Sequence, residues 1–154
     1  TYTTVFDKTG EDLVYSLMPY INEHYSTLTG REDTAIAGFS MGGRETMLTA
    51  FKYYNRFGYV GAFSSAGFAS NVISFSSEVP DFKTTEGYEF KYLMLAIGSN
   101  DNSTGHIARA LESKLANNGV TYEKKTYDGG HDYYVWKSAL YDFAQKIFQT
   151  ESAS

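Results

Sequence analysis

The 154-residue sequence contains no cysteine, which excludes disulfide crosslinks, thiolate-bound zinc and thiol nucleophiles. Histidine is scarce as well. His24, His106 and His131 are far apart, and without cysteine they make a poor zinc site. No other metal or cofactor signature takes its place, so no cofactor is expected. Asn100-Asp101-Asn102-Ser103-Thr104-Gly105 imitates the opening of a calcium loop, but the twelfth position holds Leu111 where a bidentate Glu is required. Gly42-Gly43 is not a phosphate loop, because no Gly-Lys-Ser/Thr follows. No run of lysine and arginine occurs, and the net charge of −5 has the wrong sign for nucleic acid or an anionic membrane. The longest wholly apolar stretch, Tyr92–Ile97, falls far short of the ~20 residues a membrane-spanning helix needs. There are only two prolines, Pro19 and Pro80, no repeat and no Pro- or Ser-rich linker, so residues 1–154 read as one domain with a polar tail at Glu151–Ser154.

Apolar and aromatic residues are plentiful. Hydrophobic residues make up 42% and charged residues 20%, a balance that supports a packed core. Aromatics reach 17%, with 14 Tyr and 11 Phe, which fits a filled core and a Tyr-rich binding surface equally well.

Periodicity gives an ordered set of elements. Val14, Leu17, Met18, Ile21 and Tyr25 share a stripe at helical spacing, predicting a helix from Glu11 to about Tyr25 that Pro19 should kink or break. Thr34–Phe39 is a short apolar run without alternation, as a strand buried on both faces would be. A second helix is predicted from Met41 to about Tyr54, then a short strand at Tyr59–Ser64 and a polar loop over Ala69–Lys91. Tyr92–Ile97 is the strongest strand. Thr104–Asn118 carries Ile107, Leu111 and Leu115 on one helical face, and Asn118-Gly119 ends it. Thr121–Tyr127 is rich in strand formers, and a last helix is expected from about Asp132 to Gln149. Short apolar strands alternating with amphipathic helices predict an α/β fold, a parallel sheet covered on both faces.

Gly38-Phe39-Ser40-Met41-Gly42 matches G-x-S-x-G between a predicted strand and a predicted helix, the context in which that motif exposes a nucleophilic serine. The turn is tight enough that a side chain at Gly38 or Gly42 is expected to meet neighbouring backbone. It lifts Ser40 to the carboxyl end of the strand and leaves the Met41 N–H at the helix N-terminus, suited to a developing oxyanion. A serine nucleophile needs a base. His24 and His106 fall on helices and read as exposed; His131 follows Asp128-Gly129-Gly130 in the loop after the last strand, where it can face the site. The chain order Ser, then acid, then His selects a carboxylate between Ser40 and His131. Asp101 lies immediately after the strongest strand. Glu78, Asp81, Glu86 and Glu89 lie in the polar loop, Asp128 is too near His131 in sequence, and Asp132 should point elsewhere. The sequon Asn102-Ser103-Thr104 adjoins Asp101 and is expected to stay unused.

Leu17-Met18-Pro19-Tyr20-Ile21, Arg31-Glu32, Ala35-Ile36-Ala37-Gly38-Phe39-Ser40-Met41-Gly42-Gly43, Gly98-Ser99-Asn100-Asp101 and Gly129-Gly130-His131-Asp132 with Val135-Trp136-Lys137 resemble the bacterial feruloyl esterases, in the esterase D-like branch of the α/β-hydrolases. The resemblance spans about residues 11–148. Its serine block is shared with S-formylglutathione hydrolases and mycolyltransferases, and its histidine block points to feruloyl and acetyl-xylan esterases. The resemblance implies Ser40 as nucleophile, Asp101 as acid, His131 as base and Met41 N–H as one oxyanion donor. It also implies Trp136 in the acyl pocket, although Trp136 shares a helical face with Leu140, Phe143 and Ile147 and reads equally well as a core residue of the last helix, with Tyr133 and Tyr134 as weaker substrate-binding candidates. The implied substrate is a feruloyl or acetyl ester on plant cell-wall polysaccharide, and the implied location is outside the cell. An S-formylglutathione hydrolase or acyltransferase relative is the alternative among enzymes; a truncated, non-catalytic binding module is the alternative outside them.

One departure accompanies the resemblance. Family members carry about 100 further residues ahead of Glu11, holding the first strands of the sheet and the loop that donates the second oxyanion N–H. The expectation is therefore an α/β-hydrolase-type sheet lacking its N-terminal strands, with Thr1 marking a cut. The strand before Ser40 would then pair with the missing half, supplied separately, or with a second copy of the chain. Loss of the second donor would remove roughly 2.7–4 kcal/mol of transition-state stabilisation.

Overall fold

The computed structural model describes residues 8–68 and 77–149; Thr1, the start of the expected Ala69–Lys91 loop and the Glu151–Ser154 tail lie outside the described residues. Four strands form one sheet in the order β1 (Ala35–Phe39), β2 (Tyr59–Phe63), β3 (Tyr92–Gly98) and β4 (Glu123–Tyr127). All neighbours are parallel, with Ala35 opposite Tyr59, Tyr59 opposite Tyr92 and Met94 opposite Glu123. The expected parallel α/β sheet is present.

Helices join and cover the strands. The first segment is helical from Thr9 to His24, as α1 (Thr9–Asp12), a π-helical turn (Leu13–Leu17) and α2 (Met18–His24). The expected break at Pro19 does not occur. The wide turn ends just before it, so Pro19 falls in the first turn of α2, where its missing N–H costs nothing. α3 (Met41–Lys52) follows β1, α4 (Gly105–Asn117) follows β3, and α5 (Tyr133–Ala144) follows β4. α5 stops at Ala144, before the expected Gln149; beyond it Phe148 adopts φ 56° and sets its ring 5.1 Å from that of Tyr59.

Alternation along β2 and β3 divides the core in two. Val60, Ala62, Leu93 and Leu95 face Met47 and Ala50 of α3, Ile107, Leu111 and Leu115 of α4, and Val14 of the π turn. Tyr59, Phe63, Met94 and Ala96 face Ala139 and Phe143 of α5. Gly61 lies on the α5 side. A Cβ there would come within 3.1 Å of the Phe143 ring, so the missing side chain lets the helix close on the sheet. The irregular stretch from 77 to 91 is anchored by Phe82, which is buried against Phe51 and Phe68, and by Asn118 donating to the Phe82 carbonyl.

β1 departs from the sequence reading. A strand buried on both faces was expected, but Ala37 and Phe39 are exposed, Phe39 by 40%. β1 is the sheet edge among the described residues, so one flank of each of these side chains has no neighbouring strand to pack on.

Candidate active site

The carboxyl ends of β1, β3 and β4 bring three distant side chains together. Ser40 sits between β1 and α3 at φ 53°, ψ −118°, a backbone state that non-glycine residues rarely adopt and that costs about 1–3 kcal/mol. Three backbone bonds hold it there: Ser40 N–H to the Phe63 carbonyl (2.9 Å), and the Ser40 carbonyl receiving Ala66 N–H (2.8 Å) and Arg44 N–H (3.2 Å). A Cβ at Gly38 would lie 2.4 Å from the Gly42 carbonyl oxygen, and one at Gly43 would lie 3.2 Å from the Gly38 and Phe63 carbonyl oxygens. A Cβ at Gly42 would meet no heavy atom of the described residues within 4 Å beyond its own stretch of helix backbone. The steric requirement therefore belongs to Gly38 and Gly43, and the expectation for Gly42 is corrected: in the first turn of α3 it meets no neighbouring backbone among the described residues. Met41 opens α3, so its N–H has no acceptor within the helix.

His131 is placed by close contact between two loops. A Cβ on Gly98 would fall 2.4 Å from the Gly130 carbonyl oxygen, and Asn100 N–H donates to the Gly129 carbonyl at 2.8 Å. Gly129 adopts φ 140°, which favours glycine. Asp132 braces the far side: it accepts from Gly130 N–H with one oxygen and caps α5 at Tyr134 and Val135 N–H with the other. Those backbone bonds, Gly130's first, hold its carboxyl below the usual range.

Asp101 follows β3, and its side chain is wholly buried. Oδ1 accepts Ser103 N–H (3.0 Å) and Thr104 N–H (2.8 Å); Oδ2 accepts the Thr104 hydroxyl (2.8 Å) and faces His131 Nδ1 at 2.9 Å. Burial works against ionisation, but the Thr104 N–H, His131 and the Thr104 hydroxyl together outweigh it, so the carboxyl lies below its ordinary range. An ionised Asp101 can only accept, so His131 Nδ1 donates. Nε2 is then left to accept from the Ser40 hydroxyl, 2.9 Å away.

The other candidates lie apart from this trio. Asp128 accepts from the Ser99 hydroxyl, Asp81 pairs with Lys83 and Lys114, and Glu78, Glu86 and Glu89 are exposed. His24 is exposed and stacked on Tyr20; His106 was expected exposed but is half-buried beside the core residue Ile107.

Beside Ser40 opens a groove of about 670 Å³, lined among others by Phe39, Tyr133, Trp136, Lys137 and Leu140. Trp136 stacks on Phe39 (4.3 Å between ring centres, 15°) and meets the His131 ring edge-on at 4.9 Å. Tyr133 and Tyr134 are both largely exposed, but Tyr133 sets its ring edge against Phe39 and Trp136. Three contributors were missed by sequence reasoning. Phe39 is the variable residue inside the serine motif, Gly98 precedes the acid loop, and Thr104 stands three residues after Asp101, a side-chain-to-backbone turn spacing that could have flagged it.

A family model described as "Putative esterase" matches residues 4–147. An endo-1,4-beta-xylanase/feruloyl esterase of Xylanibacter ruminicola is 29% identical over 138 residues, which is 89% of this chain and 17% of that protein. A solved CE1 ferulic acid esterase from Anaeromyces mucronatus, in complex with ferulic acid, is 30% identical with a TM-score of 0.81, over 96% of this chain and 56% of that one. An S-formylglutathione hydrolase from Staphylococcus aureus, 20% identical with a TM-score of 0.75 over 94% of this chain and 64% of that one, shares the fold. The sheet and its helices are thus of α/β-hydrolase type, and the chain spans about half the length of the ferulic acid esterase it matches.

Proposed function

The chain belongs to the esterase family, and on that footing we propose that it supplies the reacting groups of a serine carboxylesterase acting on feruloyl or acetyl esters of plant cell-wall polysaccharide. The observation that carries this reading is the unbroken hydrogen-bonded relay from Asp101 through His131 to Ser40, at the mouth of an open groove.

His131 Nε2 takes the Ser40 proton as Oγ bonds to the ester carbonyl carbon, and the carbonyl oxygen becomes an oxyanion facing the Met41 N–H. Collapse of this intermediate breaks the ester C–O bond. His131 returns its proton to the departing alkoxide, which leaves as the sugar hydroxyl, and the acyl group stays on Ser40. Water then attacks the acyl carbon, its proton passing to His131; the acid departs and Ser40 recovers its hydrogen. Asp101 holds the imidazole in the required tautomer and offsets its charge when both nitrogens are protonated. The Phe39–Trp136 stack, with Tyr133 beside it, offers a flat apolar wall to a planar acyl group. The polysaccharide substrate implies work outside the cell. No helix among the described residues is long and apolar enough to cross a membrane.

The test is hydrolysis of feruloyl and acetyl aryl esters by wild type and Ser40→Ala, with fluorophosphonate labelling of folded protein. Turnover and labelling that both vanish in Ser40→Ala support the reading. Equal activity in the variant refutes the nucleophile, and absence of labelling in folded wild type favours a non-catalytic role. Turnover of a glutathione thioester above that of both esters would move the substrate to the S-formylglutathione class.

A further inference from the structure

An ionised carboxylate offers about four lone-pair sites, two on each oxygen. At Asp101 all four are engaged. Oδ1 carries Ser103 N–H and Thr104 N–H, and Oδ2 carries the Thr104 hydroxyl and His131. Thr104 alone fills two of them, one on each oxygen. It is 2% exposed and stands at the N-terminus of α4, where Ala108 N–H binds its carbonyl at 2.9 Å, so helix and carboxylate fix it from two sides. Because both oxygens are held from the acid loop, the carboxylate cannot rotate about its own axis, and the last lone pair on Oδ2 has one direction, toward His131 Nδ1. In a buried site this bond decides where the imidazole ring lies. The distance from Nε2 to Ser40 follows from that placement.

We propose that Thr104 is a positioning residue for the reaction: its hydroxyl and N–H lock the Asp101 carboxylate so that a single lone pair is aimed at His131, which in turn aims Nε2 at Ser40. The proposal rests on the serine-esterase reading above. Thr104 touches neither substrate nor reacting atoms and acts through Asp101. Loss of the hydroxyl leaves one buried lone pair of Oδ2 empty and the carboxylate held from the acid loop through Oδ1 alone, so Oδ2 is less firmly aimed and His131 loses alignment during proton transfer while the groove beside Ser40 is unaltered.

The experiment compares Thr104→Val, Thr104→Ala and Thr104→Ser, each checked for fold by near-ultraviolet circular dichroism. Two readouts are taken: steady-state hydrolysis of an aryl ester, and the proton NMR resonance of His131 Nδ1–H, whose downfield position reports the bond to Asp101 independently of turnover. The expected result is a fall in kcat of about 10- to 100-fold with KM unchanged in the valine and alanine variants. Their Nδ1–H resonance should move or broaden, while serine keeps both values near wild type. An unmoved resonance with kcat within about twofold of wild type in either folded variant overturns the proposal. So does a serine variant as impaired as alanine, since the hydroxyl would then not be the acting group. Failure of the underlying reading is separate: it would appear as equal activity in Ser40→Ala, whatever the NMR readout of Thr104 gives.

Discussion

The two faces of the sheet are built to different degrees of closure. On the α3 and α4 side, Met47, Ile107, Leu111 and Leu115 are inaccessible or nearly so, and the loop that carries Phe82 seals the margin. On the α5 side the buried set shrinks to residues around Phe63, Met94, Ala139 and Phe143, and the same helix leaves Tyr133 and Leu140 in the open. On the proposed function, the difference separates holding the fold from meeting a substrate. The closed face fixes strand register, and hence where Ser40, Asp101 and His131 stand. The open face ends in the groove that reaches Ser40. Cost of substitution should therefore appear as lost stability on one side and altered catalysis on the other.

Four tests, using five substitutions, sharpen or break that comparison, taken from the largest effect down. Ser40→Ala lies where the faces meet and belongs to neither core; kcat should fall about 10⁴-fold or more with the urea midpoint unchanged. A large loss of stability would place Ser40 in the framework and break the comparison. Leu111→Ala on the closed face should cost about 2–5 kcal/mol in urea unfolding, whereas Leu140→Ala on the open face should stay within about 0.5 kcal/mol. Trp136→Ala should raise KM for a feruloyl ester about tenfold while leaving that for an acetyl ester near wild type, since the loss of the aromatic wall is felt only by an aromatic acyl group. Finally, the folded-state carboxyl of Asp101 lies below its unfolded value, so its stabilising contribution is full above the unfolded pKa and disappears as pH falls through the folded one. The gap in unfolding free energy between wild type and Asp101→Asn should be widest above about pH 5 and narrow steadily below about pH 4.

Much of this was legible in the chain. The serine motif needed only the strand before it and the helix after it, both readable from local patterns, and chain order selected Asp101 and His131 before any distance was known. The structure adds the loop contacts at Gly98 and Gly129 that bring those residues within hydrogen-bond reach. What escaped depends on neighbours remote in sequence. Ala35–Phe39 has the composition of an interior strand, but its burial is set by what lies beside it in the sheet, which no local window contains. Pro19 reads as a helix breaker until the π turn before it is seen to move it into a first-turn position. Trp136 could belong to the core or to a pocket on periodicity alone; in the structure it does both, packing against the α5-side core and stacking on Phe39, 97 positions earlier in the chain, in the lining of the groove. A threonine near a helix start is ordinary in sequence, and only the count of lone pairs on Asp101 sets Thr104 apart.

The free space at Gly42 has a consequence for protein engineering. Glycine in a helix interior is less favourable than alanine by about 1 kcal/mol, and Gly42, in the first turn of α3, meets no steric conflict among the described residues, so alanine there should gain some share of that difference. Gly42→Ala should therefore raise the melting temperature. The same change would place a methyl group in the lining of the groove, one residue from the Met41 N–H. The position is one where thermostability and room for substrate are exchanged directly, and a graded series of side chains there would measure the rate of exchange.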